Sequence, residues 1–144
     1  MRRAIVLARE RLGQTGENPA VGCVIVKGGE VVGEAATAEG GRPHAEEQAL
    51  AQASGRARGA AAYVTLEPCG ERSSGKPSCA ERLAAAGVRR VLIACEDPSP
   101  KASGRGVAHL RAAGVAIQGG VLQDEAGPLY AEYRERLASG GPSR

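Results

Sequence analysis

Two apolar runs, Ala20 to Val26 and Val31-Val32, flank the segment Lys27-Gly28-Gly29-Glu30, and this arrangement constrains the fold more than any other feature of the chain. Apolar runs joined by a tight-turn segment read as a β-hairpin. Beyond the hairpin, helix and strand patterns alternate. Helix formers run from His44 to Ala53 behind Pro43, a residue favoured in a helix's first turn. Residues 61–66, Ala-Ala-Tyr-Val-Thr-Leu, read as a third strand that stops at Glu67-Pro68. A helix over 78–86 closes at Gly87, and Val88 to Ala94 forms a fourth strand. A helix near 105–113 ends at Gly114, a weak strand follows at 115–117, and a last helix runs from Gln123 to Leu137. Ahead of the hairpin, Ile5, Leu7, Ala8 and Leu12 recur at helical spacing among four arginines, with a stop near Gly13. Strand–helix alternation requires parallel strands with crossover helices. The expected fold is α/β, a three-layer α/β/α sandwich on a mixed sheet of about five strands. Neither an internal repeat nor a linker divides the chain, so residues 1–138 are expected to form one domain. The tail 139–144 is disordered in character.

Composition decides what fills such a sandwich. Of 144 residues, 27 are Ala and 21 Gly, with three Tyr and no Phe or Trp. The core must therefore rest on Val, Leu and Ile, with support from a metal ion or a subunit interface. No apolar run approaches the ~20 residues that span a bilayer, and no signal-peptide core follows Met1. A charged fraction of 24% with net charge +3 is not a disordered profile. The shortage of aromatic rings argues against a nucleic-acid partner. Without a secretory signal, a reducing cytoplasmic setting is expected, where cysteines serve as metal ligands or small buried hydrophobes. Cys23 and Cys95 lie in apolar strands and read as core. Cys69 and Cys79 lie in a polar segment of Gly, Ser and Pro, where packing gives no reason for a thiol.

Three features converge on a chemistry. His44-Ala45-Glu46 opens a helix, Glu67-Pro68-Cys69 ends a strand at the sheet edge where ligands bind, and Cys79 starts the next helix, whose dipole favours a thiolate. One imidazole and two thiolates, His44, Cys69 and Cys79, make three zinc ligands. The open fourth position suits a catalytic zinc whose water ionises near pH ~7. Zinc hydroxide would then attack an amine-bearing carbon, with Glu46 moving the proton to a ring nitrogen and the leaving ammonia. The competing reading is a closed structural site with His109 or Cys95 as fourth ligand, although His109 reads as a surface residue. Arg72 and Lys76, in the loop between the cysteines, read either as solvated charges or as phosphate holders. Asp97 and Ser99 follow the fourth strand at the same sheet edge, as pocket lining or as a rigid Pro-flanked turn. Arg105 could meet an anion at a helix start.

Zinc nucleobase deaminases carry His-x-Glu followed by Pro-Cys-x-x-Cys; this chain has the first two parts, but its second cysteine comes ten positions later, not three. The ten-residue step between cysteines narrows the family. The chain resembles the pyrimidine deaminase domain of the bacterial riboflavin-biosynthesis deaminase/reductase family, through Asn18-Pro19-Ala20-Val21-Gly22-Cys23-Val24-Ile25-Val26, Pro43-His44-Ala45-Glu46 and Tyr63-Val64-Thr65-Leu66-Glu67-Pro68-Cys69. Ala84-Ala85-Ala86-Gly87-Val88 and Asp97-Pro98-Ser99-Pro100 leading to Gly104-Arg105-Gly106 extend it. The resemblance implies a cytidine-deaminase-like fold and hydrolytic deamination of a phosphoribosylated diaminopyrimidinone. It also implies substrate hydrogen bonds from Asn18 and the backbone at Ala45, with Lys76 near the phosphoribosyl group. The loop Gly70 to Ser78 departs from the family by one extra residue and by lacking a histidine, and Ser99 stands where the family has Asn. These departures motivate two alternatives: deamination of another small heterocycle such as cytosine, guanine or a nucleoside, or a non-catalytic zinc-stabilised partner of a separate reductase. Expected partners are a small-molecule pyrimidine and further copies of this chain, as a homodimer or higher homo-oligomer.

Overall fold

The hairpin is the fold's first fixed point. In the computed structural model, which describes residues 1–72, 74–100 and 102–142, Gly28 and Gly29 have φ of 58° and 79°. Two successive positive φ values are what a two-residue hairpin turn requires, and glycine reaches them without strain. They join β1 (Gly22–Lys27) to β2 (Glu30–Ala36), which pair antiparallel from Gly22 opposite Ala36 to Lys27 opposite Glu30. β2 extends well beyond Val31-Val32, because pairing with β1 carries Gly33-Glu34-Ala35-Ala36 along despite their weak strand propensity. Ser73 of the loop between cysteines, and Ser143 and Arg144 of the expected tail, lie outside the described residues.

The remaining elements are α1 (Arg2–Arg9), α2 (Ala45–Ala53), β3 (Ala61–Leu66), α3 (Cys79–Ala85), β4 (Arg90–Cys95), α4 (Arg105–Ala112), β5 (Ala116–Gln118), α5 (Gln123–Ala126) and α6 (Ala131–Ala138). The sheet order is β2-β1-β3-β4-β5, with β1 antiparallel to both β2 and β3, and β3, β4 and β5 mutually parallel. This is the expected mixed five-stranded sheet. Three boundaries shift for local reasons. Pro43 precedes α2 rather than opening it, since His44 is the extended N-cap (φ −69°, ψ 160°). Val88 donates its N–H to the Leu83 carbonyl at 3.3 Å behind Gly87 at φ 80°, a glycine helix closure that delays β4 to Arg90. The single helix expected from Gln123 to Leu137 is broken by a 3₁₀ turn over Gly127–Tyr130, where Pro128 has no N–H for an α-helical bond.

Small residues set how closely helices lie on the sheet. Side chains alternate across a strand, so Gly22 and Val24 face one layer, Cys23 and Ile25 the other. On the first face, a Cβ added to Gly22 would lie 1.9 Å from the Ala4 carbonyl oxygen of α1. On the second, a Cβ on Gly33, the partner of Ile25, would lie 2.1 Å from the Ala49 oxygen of α2. Ala45, Ala49 and Ala53, one turn apart, form the buried stripe of α2. Between these layers Ile25, Val64, Leu66, Leu83, Val91 and Leu110 are fully enclosed. Tyr130 is the largest buried side chain, and its hydroxyl donates to the Ala20 carbonyl at 2.9 Å. It also shares a 2.6 Å hydrogen bond with the Thr65 hydroxyl, which in turn accepts the Gly22 N–H at 2.9 Å.

Close approach at Gly22 sets the first prediction. Gly22→Ala forces β1 or α1 to move and should lower stability by about 1–3 kcal/mol, read as a fall in the urea midpoint at unchanged m-value. Gly55→Ala, with nothing within 4 Å of the added Cβ, is the control and should shift the midpoint far less. Equal shifts for the two would contradict the packing argument.

Candidate metal centre and active site

Two helix starts and one strand end meet at the carboxyl edge of β3. His44 is the N-cap of α2, and Ala45 and Glu46 occupy its first turn. Cys69 follows β3 by three residues, after Glu67 has prolonged the strand by donating its N–H to the Cys95 carbonyl at 2.9 Å. Cys79 is the first residue of α3, whose N-cap Ser78 forms a reciprocal capping box. The Ser78 hydroxyl accepts from the Glu81 N–H at 3.1 Å, and the Glu81 carboxylate accepts from the Ser78 N–H at 2.8 Å. The start of α3 is docked directly on Cys69. Its Cys79 N–H lies 3.3 Å from the Cys69 sulfur, and its Ala80 N–H donates to the Cys69 carbonyl at 3.1 Å. Helix-start N–H groups on a sulfur favour the thiolate.

The donor atoms of His44, Cys69 and Cys79 lie within 4.8 Å of one another, and all three residues are buried. His44 Nδ1 stands 3.3 Å from the Cys79 sulfur. One imidazole nitrogen and two thiolates form the donor set that zinc takes tetrahedrally, with one position open. Glu46 is fully buried, and neither of its carboxylate oxygens has a hydrogen-bond partner among the described residues. A buried unpaired carboxylate is costly, and such a group marks a place where a ligand, ion or water belongs. The residues therefore fit a metal with its nucleophile beside it. Behind Glu46, Cys23 is enclosed, and burial first, then the Glu46 charge, pushes its thiol well above the usual range. Cys23 is a core residue, as is Cys95, and His109 is exposed, away from the ligand cluster.

A partly buried ion pair ties the inter-cysteine loop to α2. Arg72, with only 5% of its side chain exposed, pairs with Glu47, whose carboxylate also accepts the His44 N–H at 3.4 Å. Arg82 approaches the other Glu47 oxygen at 3.8 Å. Burial alone would raise the Glu47 pKa. The Arg72 hydrogen bond and charge, the His44 N–H and the Arg82 charge outweigh it and hold this carboxyl below the usual range. These residues, with Arg42 and Lys76, line a cavity of about 510 Å³ that carries four cationic side chains against one carboxylate.

The other expected site residues separate. Asn18 is half-buried, and its side-chain amide donates to the Gly41 carbonyl at 2.8 Å, bracing the turn that leads to Pro43-His44. Ala45 is fully buried on α2, and Lys76 lines the basic cavity. Asp97 and Ser99 are buried away from that cavity. The Asp97 carboxylate accepts the Ser99 N–H at 2.8 Å and the Tyr133 hydroxyl at 3.1 Å, and Asp97 borders a second cavity of about 800 Å³. Arg105 is exposed and paired with Glu71.

Two residues outside the expected set also shape the site. Gly106 lets α4 start against the strand end, since a Cβ there would lie 1.9 Å from the Pro68 oxygen. Glu67 receives the Gly104 N–H at 2.8 Å and so caps α4 from a distance. Burial raises the Glu67 pKa against the opposing pull of its N–H donors.

The family description "Cytidine and deoxycytidylate deaminase zinc-binding region" matches residues 1–95, a segment that holds His44, Glu46, Cys69 and Cys79. The chain belongs to this family. The Buchnera aphidicola protein named diaminohydroxyphosphoribosylamino-pyrimidine deaminase is 41% identical over 142 residues, covering 99% of this chain and 96% of that one. The riboflavin biosynthesis protein RibD of Escherichia coli K12 is 45% identical over 142 residues, but this chain spans only 38% of it. The solved structure of Acinetobacter baumannii RibD superposes with a TM-score of 0.90 at 44% identity, over 98% of this chain and 39% of that one. Family membership thus supplies zinc as the cofactor, and the His/Cys/Cys cluster is where this deaminase-family chain has donors for it.

The Glu47 pairing predicts an acid dependence. Its folded-state pKa lies below the ordinary 4.5, so it contributes stability above about pH 4.5 that is lost as pH falls through the folded value. In metal-free protein, the gap in urea midpoint between the parent and Glu47→Gln should shrink steadily below about pH 4.5. A gap that stays constant down to about pH 3 would remove the pair from the stability account.

Proposed function

We propose that the chain is a zinc-dependent hydrolytic deaminase of an amino-substituted pyrimidine, with the diaminohydroxyphosphoribosylaminopyrimidine of riboflavin biosynthesis as its substrate. The observation that carries the activity is Glu46: a fully buried carboxylate with neither oxygen partnered among the described residues, two residues from His44 in a buried His/Cys/Cys cluster. Zinc, when bound, supplies the acidity that makes water a nucleophile at neutral pH. Glu46 takes a proton from the water and hands it to the ring nitrogen next to the amine-bearing carbon; when the C–N bond breaks and that carbon becomes a carbonyl, Glu46 takes the proton of the added hydroxyl and passes it to the departing amine, so that ammonia leaves. Enclosure of Glu46 keeps bulk water from competing for that proton.

Support for the substrate comes from the Buchnera relative, whose name states it and whose whole length this chain nearly covers. The basic cavity agrees with a phosphorylated substrate, since Lys76, Arg42 and Arg82 offer an anion site at the mouth. In this reading Asn18 and the Ala45 backbone hold the heterocycle, Lys76 meets the phosphate, and Asp97 with Ser99 serves the substrate by fixing the turn after β4. The domain covers residues 1–138. Self-association is part of the proposal, favoured by Val6, Leu12 and Val31 standing exposed on an otherwise thin core. So is a cytoplasmic setting, which suits four free cysteines. Among the described residues no helix is long and apolar enough to cross a membrane.

Ammonia release across a panel of phosphoribosyl diaminopyrimidinone, cytosine, cytidine and guanine tests the substrate, with turnover expected on the first alone. Silence on that compound with turnover of a free base would overturn the assignment. Glu46→Gln should keep about one zinc per chain while kcat falls by roughly 10²–10⁴-fold. Undiminished turnover would remove Glu46 from the proton path.

A further inference from the structure

Among the described residues, Arg72 is the one cation whose side chain is enclosed at the site, and its donors are divided. One terminal nitrogen pairs with Glu47, while Nε is buried and has no hydrogen-bond partner among the described residues. A guanidinium presents its donors in a rigid fork, so Glu47 also fixes the direction of the remaining N–H. Leaving a buried N–H without an acceptor is unfavourable, and folding has ways to avoid it: a lysine would satisfy Glu47 without adding the extra donor. Through Glu47, whose carboxylate also accepts the His44 N–H at 3.4 Å, the Arg72 side chain is tied to the start of α2 that carries His44 and Glu46. It also lines the basic cavity with Lys76. Arg72 therefore stands between the cluster, where the reacting ring must sit, and the cationic mouth.

Resting on the deaminase reading above, we propose that Arg72 is a specificity-determining residue whose Nε–H donates to an acceptor on the heterocycle itself. Glu47 is its positioning residue. The acceptor is a ring nitrogen or carbonyl oxygen of a pyrimidinone, and the substrate's phosphate belongs to Lys76. The division of labour makes Arg72 a reader of the base and Lys76 a reader of the anion.

Arg72→Lys is the discriminating variant, because it keeps the charge for Glu47 and removes the Nε–H. Steady-state kinetics on the phosphorylated substrate and on its dephosphorylated form separate the two acceptors, and zinc content with chelator competition reports the cluster. Arg72→Lys should lower kcat/KM about 10- to 100-fold, mainly through KM, equally on both substrates, with zinc affinity retained. Lys76→Ala should penalise only the phosphorylated substrate. A lysine variant with parent kinetics would show that Arg72 serves only the ion pair, overturning the proposal. So would a penalty confined to the phosphorylated substrate, or a loss of zinc matching the loss of activity. A parent chain silent on every pyrimidine would defeat the deaminase reading, and this inference with it. A parent that turns over normally beside an unaffected Arg72→Lys defeats this inference alone.

Discussion

The N-terminus of α3 rests on Cys69, and the site depends on that contact. Because Cys79 opens the helix, the N–H that reaches the Cys69 sulfur and the sulfur that joins it belong to one residue. The Ala80 N–H on the Cys69 carbonyl makes the docking two-pronged. Were α3 to start one residue later, Cys79 would leave the helix start and both bonds would be lost. The Ser78–Glu81 capping box fixes that starting residue, so a local sequence pattern determines the separation of two donors ten positions apart. α2 is placed by an independent device. Its alanine stripe lies on Gly33, and Glu47 links His44 to the loop that leaves Cys69.

Small residues are the means by which a chain without Phe or Trp builds a rigid frame. Packing energy falls off steeply with separation, so a core of modest side chains must bring backbones close to avoid voids. Gly22 beneath Ala4, Gly33 beneath Ala49 and Gly106 beside Pro68 do this at three points of the frame. The abundance of Ala and Gly, which suggests a need for outside support when read as composition alone, is in part a close-packing solution. Tyr130 adds a large anchor, tying the C-terminal turn to the start of β1 and the end of β3 through its hydroxyl.

Much of this was legible in the sequence because it is local. The glycine turn, the strand over 61–66, the helix stop at Gly87 and the partition of four cysteines into two core residues and two cluster residues all follow from nearest neighbours. The resemblance to riboflavin-pathway deaminases pointed to the family that the comparisons show. Features set by distant contacts were not legible. Strand β2 owes four of its residues to pairing with β1, and the last helix breaks because Pro128 lacks an N–H where a helical periodicity otherwise continues. Asp97 and Ser99 lie at the expected sheet edge, yet their hydrogen bonds run to one another and to Tyr133, a residue 36 positions on from Asp97. Arg72 reads in sequence as one of several loop charges. Only the fold shows it enclosed against Glu47.

Charge completes the argument for why the cluster needs its cation. Among the described residues, two thiols and Glu46 are buried at the cluster, and the Arg72 guanidinium is enclosed beside the partly exposed Glu47. Fully ionised, such a group would carry a large uncompensated negative charge in a region with little water, which burial forbids. A divalent cation offsets that charge, which is what the His/Cys/Cys donor set supplies ligands for. Glu46 is the group to which no hydrogen-bond donor is directed among the described residues. The same lack of a fixed partner that makes it costly to bury leaves it free to carry a proton between two positions, which is the property that deamination demands of it.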